Sequence, residues 1–196
     1  FLMKKITYLF GLFLSISAFA QSNETLPSDT IVSPILAKKN ELKIDVLNLI
    51  ANGKLGISYE RFLDKDFSVG ITGVMFNKSN DFLTDDTRTL IDYQVIPYVR
   101  YAMSKSATNL YYIEAFTDIN GGNYKELKTL NNGVADYVVV TKNKYNDVAI
   151  GGSVGYKLYF KESFVVDLHI GIGKNLFNNN SPSTIARLGI NVGYRF

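Results

Sequence analysis

Apolar and polar residues alternate along eight separate segments of the chain between residues 41 and 196. The segment LGINVGYRF, at 188–196, shows the pattern most plainly, because every second residue in it is apolar. Successive side chains of a β-strand point to opposite faces, so a strand with this pattern has one apolar and one polar or small face. This period of two predicts an all-β protein and leaves open which of the two faces meets solvent.

The eight segments are even in number, and most have about the 9–11 residues that a tilted strand needs to cross a bilayer. They lie at 41–50, 56–62, 67–76, 92–102, 110–118, 148–160, 164–174 and 186–196. No convincing amphipathic helix is predicted after residue 20, because no apolar pattern of period 3.6 follows it. The count and length of the segments favour a closed barrel of antiparallel strands.

The connections between the segments alternate between short and long, apart from a short first one at 51–55. The long connections are 77–89, 120–146 and 175–184, and we expect 120–146 to be the longest loop. Outer-membrane barrels have short turns on the periplasmic side and longer loops outside, whereas a soluble meander has no reason to collect its long loops at one end. The predicted fold is an eight-stranded, antiparallel, up-and-down transmembrane β-barrel.

The polar face of the predicted strands carries ten charged or titratable residues. We predict that they form a charge network in the barrel lumen: Lys43, Asp45, Glu60, Arg100, Glu114, Lys157, Asp167, His169, Arg187 and Arg195. A soluble barrel with its apolar face inward would pack many Tyr and Phe rings into a narrow interior. The inverse arrangement places those rings in lipid and pairs the charges inside, where eight strands leave a space that side chains just fill. A soluble secreted β-barrel that binds a small apolar ligand is the alternative.

The N-terminal residues have the pattern of an export signal. Two lysines precede an apolar stretch that begins at Ile6, and Ala18 and Ala20 give the small-x-small pattern of a cleavage site. We therefore expect a cleaved signal peptide at 1–20, a flexible periplasmic lead-in at 21–39 and the barrel at 40–196. The expected location is the outer membrane of a Gram-negative cell envelope.

Several blocks of the sequence resemble the small outer-membrane β-barrel proteins of Bacteroidetes, a family of unknown function. The blocks are KNELKIDVLNLIANGKLGISYERFL at 39–63, YQVIPYVRYA at 93–102, VGYKLYF at 154–160, HIGIGKNLF at 169–177 and LGINVGYRF at 188–196. The architecture is more distantly similar to OmpA/OmpX-type eight-stranded barrels. The resemblance implies a fold and a location, and it supplies no catalytic residues.

The last strand also resembles the signal that the barrel-insertion machinery reads in outer-membrane proteins. In that resemblance Ile190, Val192, Tyr194 and Phe196 form the C-terminal insertion signal. Outer-membrane lipid and this machinery are the expected partners, a monomer is the expected state, and an extracellular or periplasmic protein partner stays open.

Composition excludes several classes of function. The chain has no Cys and one His, which excludes disulfides, Cys-ligated metals and most His-rich metal sites. Without the first 20 residues it carries 19 basic and 18 acidic residues, so it lacks the basic excess that nucleic-acid binding needs. We expect no cofactor and no metal.

Three functional interpretations remain after these exclusions. The preferred one is a non-enzymatic barrel, structural or presenting extracellular loops to a partner. The second is an outer-membrane enzyme that acts on lipid, which His169 suggests but for which no outward-facing nucleophile is found. The third is a pore, against which the ten lumen residues argue. The roles of the long loops 77–89 and 120–146 are not indicated by the sequence.

Overall fold

The computed structural model describes residues 38–76, 89–103, 108–131, 136–161 and 163–196. The predicted signal peptide, most of the predicted lead-in and nearly all of the long connection 77–89 lie outside these described residues. Among the described residues, no helix has the length and apolar character needed to cross a membrane.

Eight antiparallel strands form a closed barrel in which each strand pairs with the next and the last pairs with the first. A short helix, α1 (Val46–Asn52), stands between the first two strands. The strands are β1 (Asn40–Asp45), β2 (Lys54–Phe62), β3 (Phe67–Phe76), β4 (Thr89–Ala102), β5 (Asn109–Asn131), β6 (Asp136–Phe160), β7 (Phe164–Asn175) and β8 (Thr184–Arg195). The predicted eight-stranded up-and-down barrel is confirmed.

The barrel has two distinct ends. At the turn end, short connections join β2 to β3, β4 to β5 and β6 to β7, and Asn40 exchanges two backbone hydrogen bonds with Phe196 (3.0 and 2.9 Å). At the loop end lie α1, the end of β3, the start of β4, the paired residues of β5 and β6 beyond Asn120 and Asp147, and the connection from β7 to β8. The two chain termini of the barrel therefore meet at the turn end.

The sequence-based expectation of a strand over 41–50, without a helix after it, is wrong at its second half. β1 ends at Asp45, whose carboxylate accepts a hydrogen bond from the Asn48 backbone N–H (3.0 Å) and caps α1. Gly53 closes the helix in the left-handed conformation, with φ 62°, which costs glycine least. A local cap at each end of α1 therefore outweighs the strand pattern that 46–50 would continue.

The expectation of a long loop at 120–146 is also wrong. β5 and β6 pair without interruption from Asn120 opposite Asp147 to Asn131 opposite Asp136, and beyond Tyr124, the last residue of β5 that pairs with β4, they continue as a two-stranded hairpin. Pairing needs only backbone hydrogen bonds, so a hairpin that extends beyond an apolar belt needs no alternation of side chains to form. The absence of alternating apolar and polar residues in this region therefore does not indicate the absence of a strand.

Side chains alternate between the inside and the outside of the barrel throughout its wall, as the burial pattern of β7 shows. Two small apolar clusters lie inside: Phe62, Ala102, Leu110, Tyr112, Tyr159 and Val165 near the turn end, and Ile96, Tyr98 and Phe116 further toward the loop end. Charged side chains share the interior with these clusters. The barrel interior is therefore filled by a mixture of rings and ions.

Candidate functional site

Nine charged side chains point into the lumen and are joined by ion pairs into one set, called here the ion-pair network. Each is at most 8% exposed, and Lys43 and Glu60 have no exposed surface. The members are Glu41, Lys43, Glu60, Arg100, Glu114, Lys157, Asp167, Arg187 and Arg195. They come from seven of the eight strands, all but β3, so the network ties opposite walls of the barrel together.

The centre of the network is a ring of two cations and two carboxylates. Lys43 Nζ lies 2.5 Å from Glu60 Oε2 and 2.9 Å from Asp167 Oδ2. Arg100 Nη1 lies 2.7 Å from the same Glu60 oxygen and 2.8 Å from the same Asp167 oxygen. Hydrogen bonds between ionised groups are the strong ones in proteins, and each carboxylate here receives two of them.

Two arms extend from this centre toward the ends of the barrel. Toward the turn end, Lys157 Nζ bonds Glu41 Oε2 and Glu60 Oε1, both at 2.7 Å, and Arg195 lies 3.9 Å from Glu41. Toward the loop end, Arg100 Nε reaches Glu114 Oε2 at 2.6 Å. The loop-end arm ends in the ion pair of Glu114 with Arg187.

Aromatic rings and hydroxyls complete the surroundings of the charges. The Arg100 guanidinium lies 4.5 Å from the centre of the Tyr98 ring and 4.1 Å from that of Tyr112. The Tyr112 hydroxyl donates to Asp167 Oδ1 (2.6 Å), and the Ser68 hydroxyl donates to Glu60 Oε1 (2.6 Å). Burying an ion costs much free energy unless it is paired and hydrogen-bonded, and these groups supply the remaining partners.

Two residues of the predicted network do not join these ion pairs. Asp45 is buried, but its carboxylate is used at the start of α1, where it accepts from the Asn48 backbone N–H and side-chain amide. His169 is buried and its Nδ1 lies 3.2 Å from the Asn191 side-chain amide. Both face inward, but Asp45 bonds a residue of α1 and His169 lies against an amide of β8.

Sequence reasoning missed Glu41, which bonds Lys43, Lys157 and Arg195. The signal for it was present, because Glu41 lies two residues before Lys43 and so shares its face. Tyr159 was missed for the same reason, since it follows Lys157 by two residues, and its hydroxyl donates to Glu41 Oε1 (3.0 Å).

The outer face of the barrel is apolar where the inner face is charged. Large aliphatic side chains point outward from every strand, and Ile170, midway along β7, is 61% exposed. The row Ile190, Val192, Tyr194 and Phe196 also points outward from β8, where all four are exposed. Their role as an insertion signal stays a prediction.

Aromatic rings are concentrated on the outer face at the turn end. Three pairs are in ring contact there: Phe67 with Tyr101 at 5.1 Å, Tyr111 with Tyr156 at 4.5 Å, and Phe164 with Tyr194 at 5.6 Å between centroids. Tyr59, Phe160 and Phe196 are exposed at the same end. These rings form a girdle around the barrel, a feature that outer-membrane barrels have at the membrane interfaces.

The described lumen side chains that could take part in a reaction are engaged with other groups of the protein. The described part of the chain contains no group of three or more His, Cys, Asp or Glu residues that could hold a metal ion. The Ser153 hydroxyl donates to Glu114 Oε1 (2.8 Å), and His169 contacts an amide, so the two are engaged with different partners. The arrangement of the lumen is one that holds charges in place.

No protein-family model and no curated protein matches the chain. Similar solved structures include the N-terminal β-barrel domain of Pseudomonas aeruginosa OprF, with 16% identity and a TM-score of 0.49 over 81% of this chain and 96% of that one. Neisserial surface protein A has 12% identity and a TM-score of 0.47 over 81% and 94%. Ail, the attachment invasion locus protein of Yersinia pestis, has 11% identity and a TM-score of 0.43 over 81% and 99%. At such identities these likenesses concern the fold alone.

Proposed function

We propose that the chain is an integral, non-enzymatic β-barrel of the outer membrane that holds its loop-end elements, above all the β5–β6 hairpin, in place for a partner outside the cell. One observation carries the proposal: the distribution of charged and apolar side chains is the reverse of that in a soluble barrel. Its inner face holds the ion-pair network, and its outer face exposes large apolar side chains on all eight strands.

A lipid environment accounts for this distribution of side chains. Monomeric soluble proteins rarely expose contiguous apolar patches of more than a few hundred Å², and an apolar band around a whole barrel far exceeds that. In a bilayer the same band contacts acyl chains, and closure of the barrel leaves no unpaired strand edge within the β1–β8 pairing. The aromatic girdle supports the interpretation that lipid headgroups lie at the level of the turn end.

The filled lumen supports a role without catalysis or transport. Lys43, Glu60 and Asp167 are fully buried at the centre of the barrel, so the interior is occupied where a pore or an apolar ligand would have to pass. His169, the residue that suggested a lipid-acting enzyme, faces inward against Asn191 and does not face the bilayer.

The hairpin supports presentation to a partner. Its seven pairs beyond Tyr124 and Asn143 extend a regular, hydrogen-bonded structure past the last pair with β4, away from the barrel at the loop end. A paired hairpin offers a partner a preformed surface, so less conformational entropy is lost on binding than with a structureless loop.

Single spin labels test the membrane proposal, since the chain has no Cys and every label site can be introduced alone. Ile170→Cys and Leu188→Cys are labelled in the purified protein, reconstituted into phosphatidylcholine vesicles, and probed with oxygen and a water-soluble nickel chelate. We expect both belt labels to meet oxygen and to be protected from the chelate. Lys144→Cys, on the hairpin, is the matched control and should meet the chelate.

Equal access of the chelate to all three labels would contradict the membrane proposal. A second measurement uses cell fractionation, in which the protein should be recovered in the outer-membrane fraction with heat-modifiable gel mobility. Recovery as a salt-soluble periplasmic protein would favour the soluble alternative.

A further inference from the structure

Three exposed lysines lie on the outward side of β6 and β7 at the loop end, two of them beyond the part of β6 that pairs with β7. Lys142 and Lys144 lie on β6, where they share a face with Ile150, and Lys174 lies on β7 directly opposite Ile150 in the register. Lys125 of β5 stands opposite Lys142. We call Lys142, Lys144 and Lys174 the lysine surface.

Charges of opposite sign are separated across the same strands. Asp118 and Asp147 point inward from β5 and β6 and are buried. Among the outward side chains described at this end of β5, β6 and β7, the charged ones are all lysines. None of the three lysines has an ion pair within the described residues.

The position of the lysine surface relative to the apolar belt indicates what it contacts. Ile150 and Ile172 are exposed in the belt directly beside Lys174. Lysine stems lie along apolar surface while the ammonium group reaches toward water, which suits the boundary between acyl chains and headgroups. A partner of this surface should therefore join an apolar part to an anionic part.

The extent of the lysine surface along the membrane normal restricts the chemistry of its partner further. Lys144 lies six residues beyond Ile150, about 20 Å along the strand and about 15 Å along the membrane normal at a tilt of about 40°. A simple phospholipid carries its phosphate in one plane, whereas a phosphorylated saccharide headgroup carries anionic groups over a layer of such thickness.

We propose that the lysine surface binds the phosphorylated saccharide headgroup of a glycolipid in the outer leaflet. This inference rests on the proposed membrane location, with the loop end outside. The apolar neighbours Ile150 and Ile172 contact the acyl chains of the bound lipid, and the three ammonium groups contact its phosphates.

The test is a titration with a diphosphorylated, acylated glucosamine disaccharide that carries a fluorophore, in mixed micelles with the full folded protein. The variant is Lys142→Gln/Lys144→Gln/Lys174→Gln, which removes three charges and keeps similar side-chain lengths. The matched control, Lys39→Gln/Arg61→Gln/Lys65→Gln, removes three exposed cations at the turn end. Heat-modifiable gel mobility checks that all three proteins are folded.

We expect the lysine-surface variant to bind the lipid at least about tenfold more weakly, because each lysine near anionic headgroups contributes a substantial part of such binding. The turn-end control should keep the wild-type affinity, and the dephosphorylated lipid should bind weakly to all three proteins. Equal affinity of wild type and lysine-surface variant would overturn the inference. So would full competition by millimolar inorganic phosphate, which would show a phosphate site without lipid specificity.

The membrane proposal fails in a different way. If no folded form of the protein inserts into phosphatidylcholine vesicles, the failure belongs to the proposed location. If wild type and variant insert equally well and bind the lipid equally, the location stands and the lysine surface is only a solvated face.

Discussion

Arg100 contacts three carboxylates at once, those of Glu60, Glu114 and Asp167, at 2.6–2.8 Å. Replacing it with Met keeps a long apolar stem but leaves these buried carboxylates with fewer cationic partners. We expect Arg100→Met to lower the free energy of unfolding by about 3–5 kcal/mol, the usual loss when one partner of a buried ion pair is removed. Urea unfolding of the reconstituted protein, followed by heat-modifiable gel mobility, measures it.

Arg61 offers the matched control for this substitution. It lies on β2 next to Glu60 in sequence, but its side chain is exposed on the outer face. Arg61→Met should change the free energy of unfolding by no more than about 0.5 kcal/mol. Similar losses in both variants would contradict the assignment of the stabilising charge to the lumen.

Ile170 and Gly171 are neighbours on β7, and replacing each with Arg should destabilise the barrel for a different reason. Ile170→Arg should cost about 2–4 kcal/mol if the site lies at the bilayer midplane, and the same change at Phe164, near the strand end, about 0–1 kcal/mol. Gly171→Arg should prevent folding, because even a Cβ there would stand 2.7 Å from the Gly152 carbonyl oxygen and against Ser153. Urea titrations in vesicles separate the two, and equal tolerance of Arg at 170 and 171 would contradict the assignment of faces.

At the scale of residues, the period of two was sufficient to predict which way most side chains point. It assigned Arg100, Glu114 and Asp167 to the inner face before any pairing was known. It could not predict which partners meet, because contacts across the lumen depend on the stagger of eight strands. Asp45 shows the limit: it faces inward, yet a helix cap formed with its nearest neighbours in sequence takes its carboxylate.

The carboxylate of Asp147, at the loop end beyond the apolar belt, bonds the connection from β7 to β8 at several points. Its oxygens accept from the backbone N–H groups of Val148 (2.7 Å), Phe177 (3.0 Å) and Asn178 (3.0 Å), and from the Ser181 hydroxyl. Burial acts to raise the pKa of Asp147, but these hydrogen bonds outweigh it and hold the pKa below the usual range. The ionised form is therefore the one that the folded connection prefers.

A lowered pKa in the folded state fixes the sign of the pH effect. The stabilisation by Asp147 is complete above the ordinary carboxyl pKa of about 3.9 and is lost as the pH falls through the lower value of the folded state. We expect amide hydrogen exchange at Phe177 and Asn178, corrected for its intrinsic pH dependence, to be well protected at pH 6 and to lose protection in strong acid. Asp147→Asn should lose much of that protection at pH 6, with Asn179→Ala as the control. Full protection in the variant would show that the connection holds without the carboxylate.

At the scale of elements, the number and direction of the strands could be predicted from the sequence. The end of β1 and the extension of the β5–β6 hairpin could not. The alternation over 41–50 concealed the caps of α1, which act through Asp45 and Gly53 alone. The hairpin beyond Asn120 was hidden for the opposite reason, because backbone pairing needs no apolar signature. An alternation of apolar and polar residues indicates a strand whose two faces have different environments. It is absent where both faces of the strand have the same environment.

The whole barrel should fold without the projecting hairpin. Replacing residues 123–144 with a two-residue turn removes the extension and keeps the β4–β5 pairing below Gly121, together with the entire ion-pair network. We expect the shortened protein to keep heat-modifiable mobility and a urea midpoint close to that of the full chain, and to lose capture of cross-linked surface partners. A full-length chain with residues 125–142 in scrambled order is the control, because it separates an effect of the hairpin's sequence from an effect of the hairpin's presence. Failure of the shortened protein to fold would show that the hairpin belongs to the barrel itself.

The hairpin is also a lever whose fulcrum is the rim of the barrel. From Lys125 to Asn131, beyond its last pair with β4, it extends seven residues, about 23 Å. At its base the Tyr93 hydroxyl donates to Asn146 Oδ1 (2.9 Å), and the side chains of Tyr93 and Asn146 fill the space beside Gly121. A pull along the barrel axis is carried by the covalent backbones of both strands and passes into the barrel wall, where it loads the backbone bonds of β5 with β4 and of β6 with β7 in shear, so many bonds share the force. A sideways pull concentrates torque at the base of the hairpin and peels the bonds there apart one after another. At the proposed membrane location, a cell tethered through the tip would therefore resist tension normal to its surface far better than drag from flow along it.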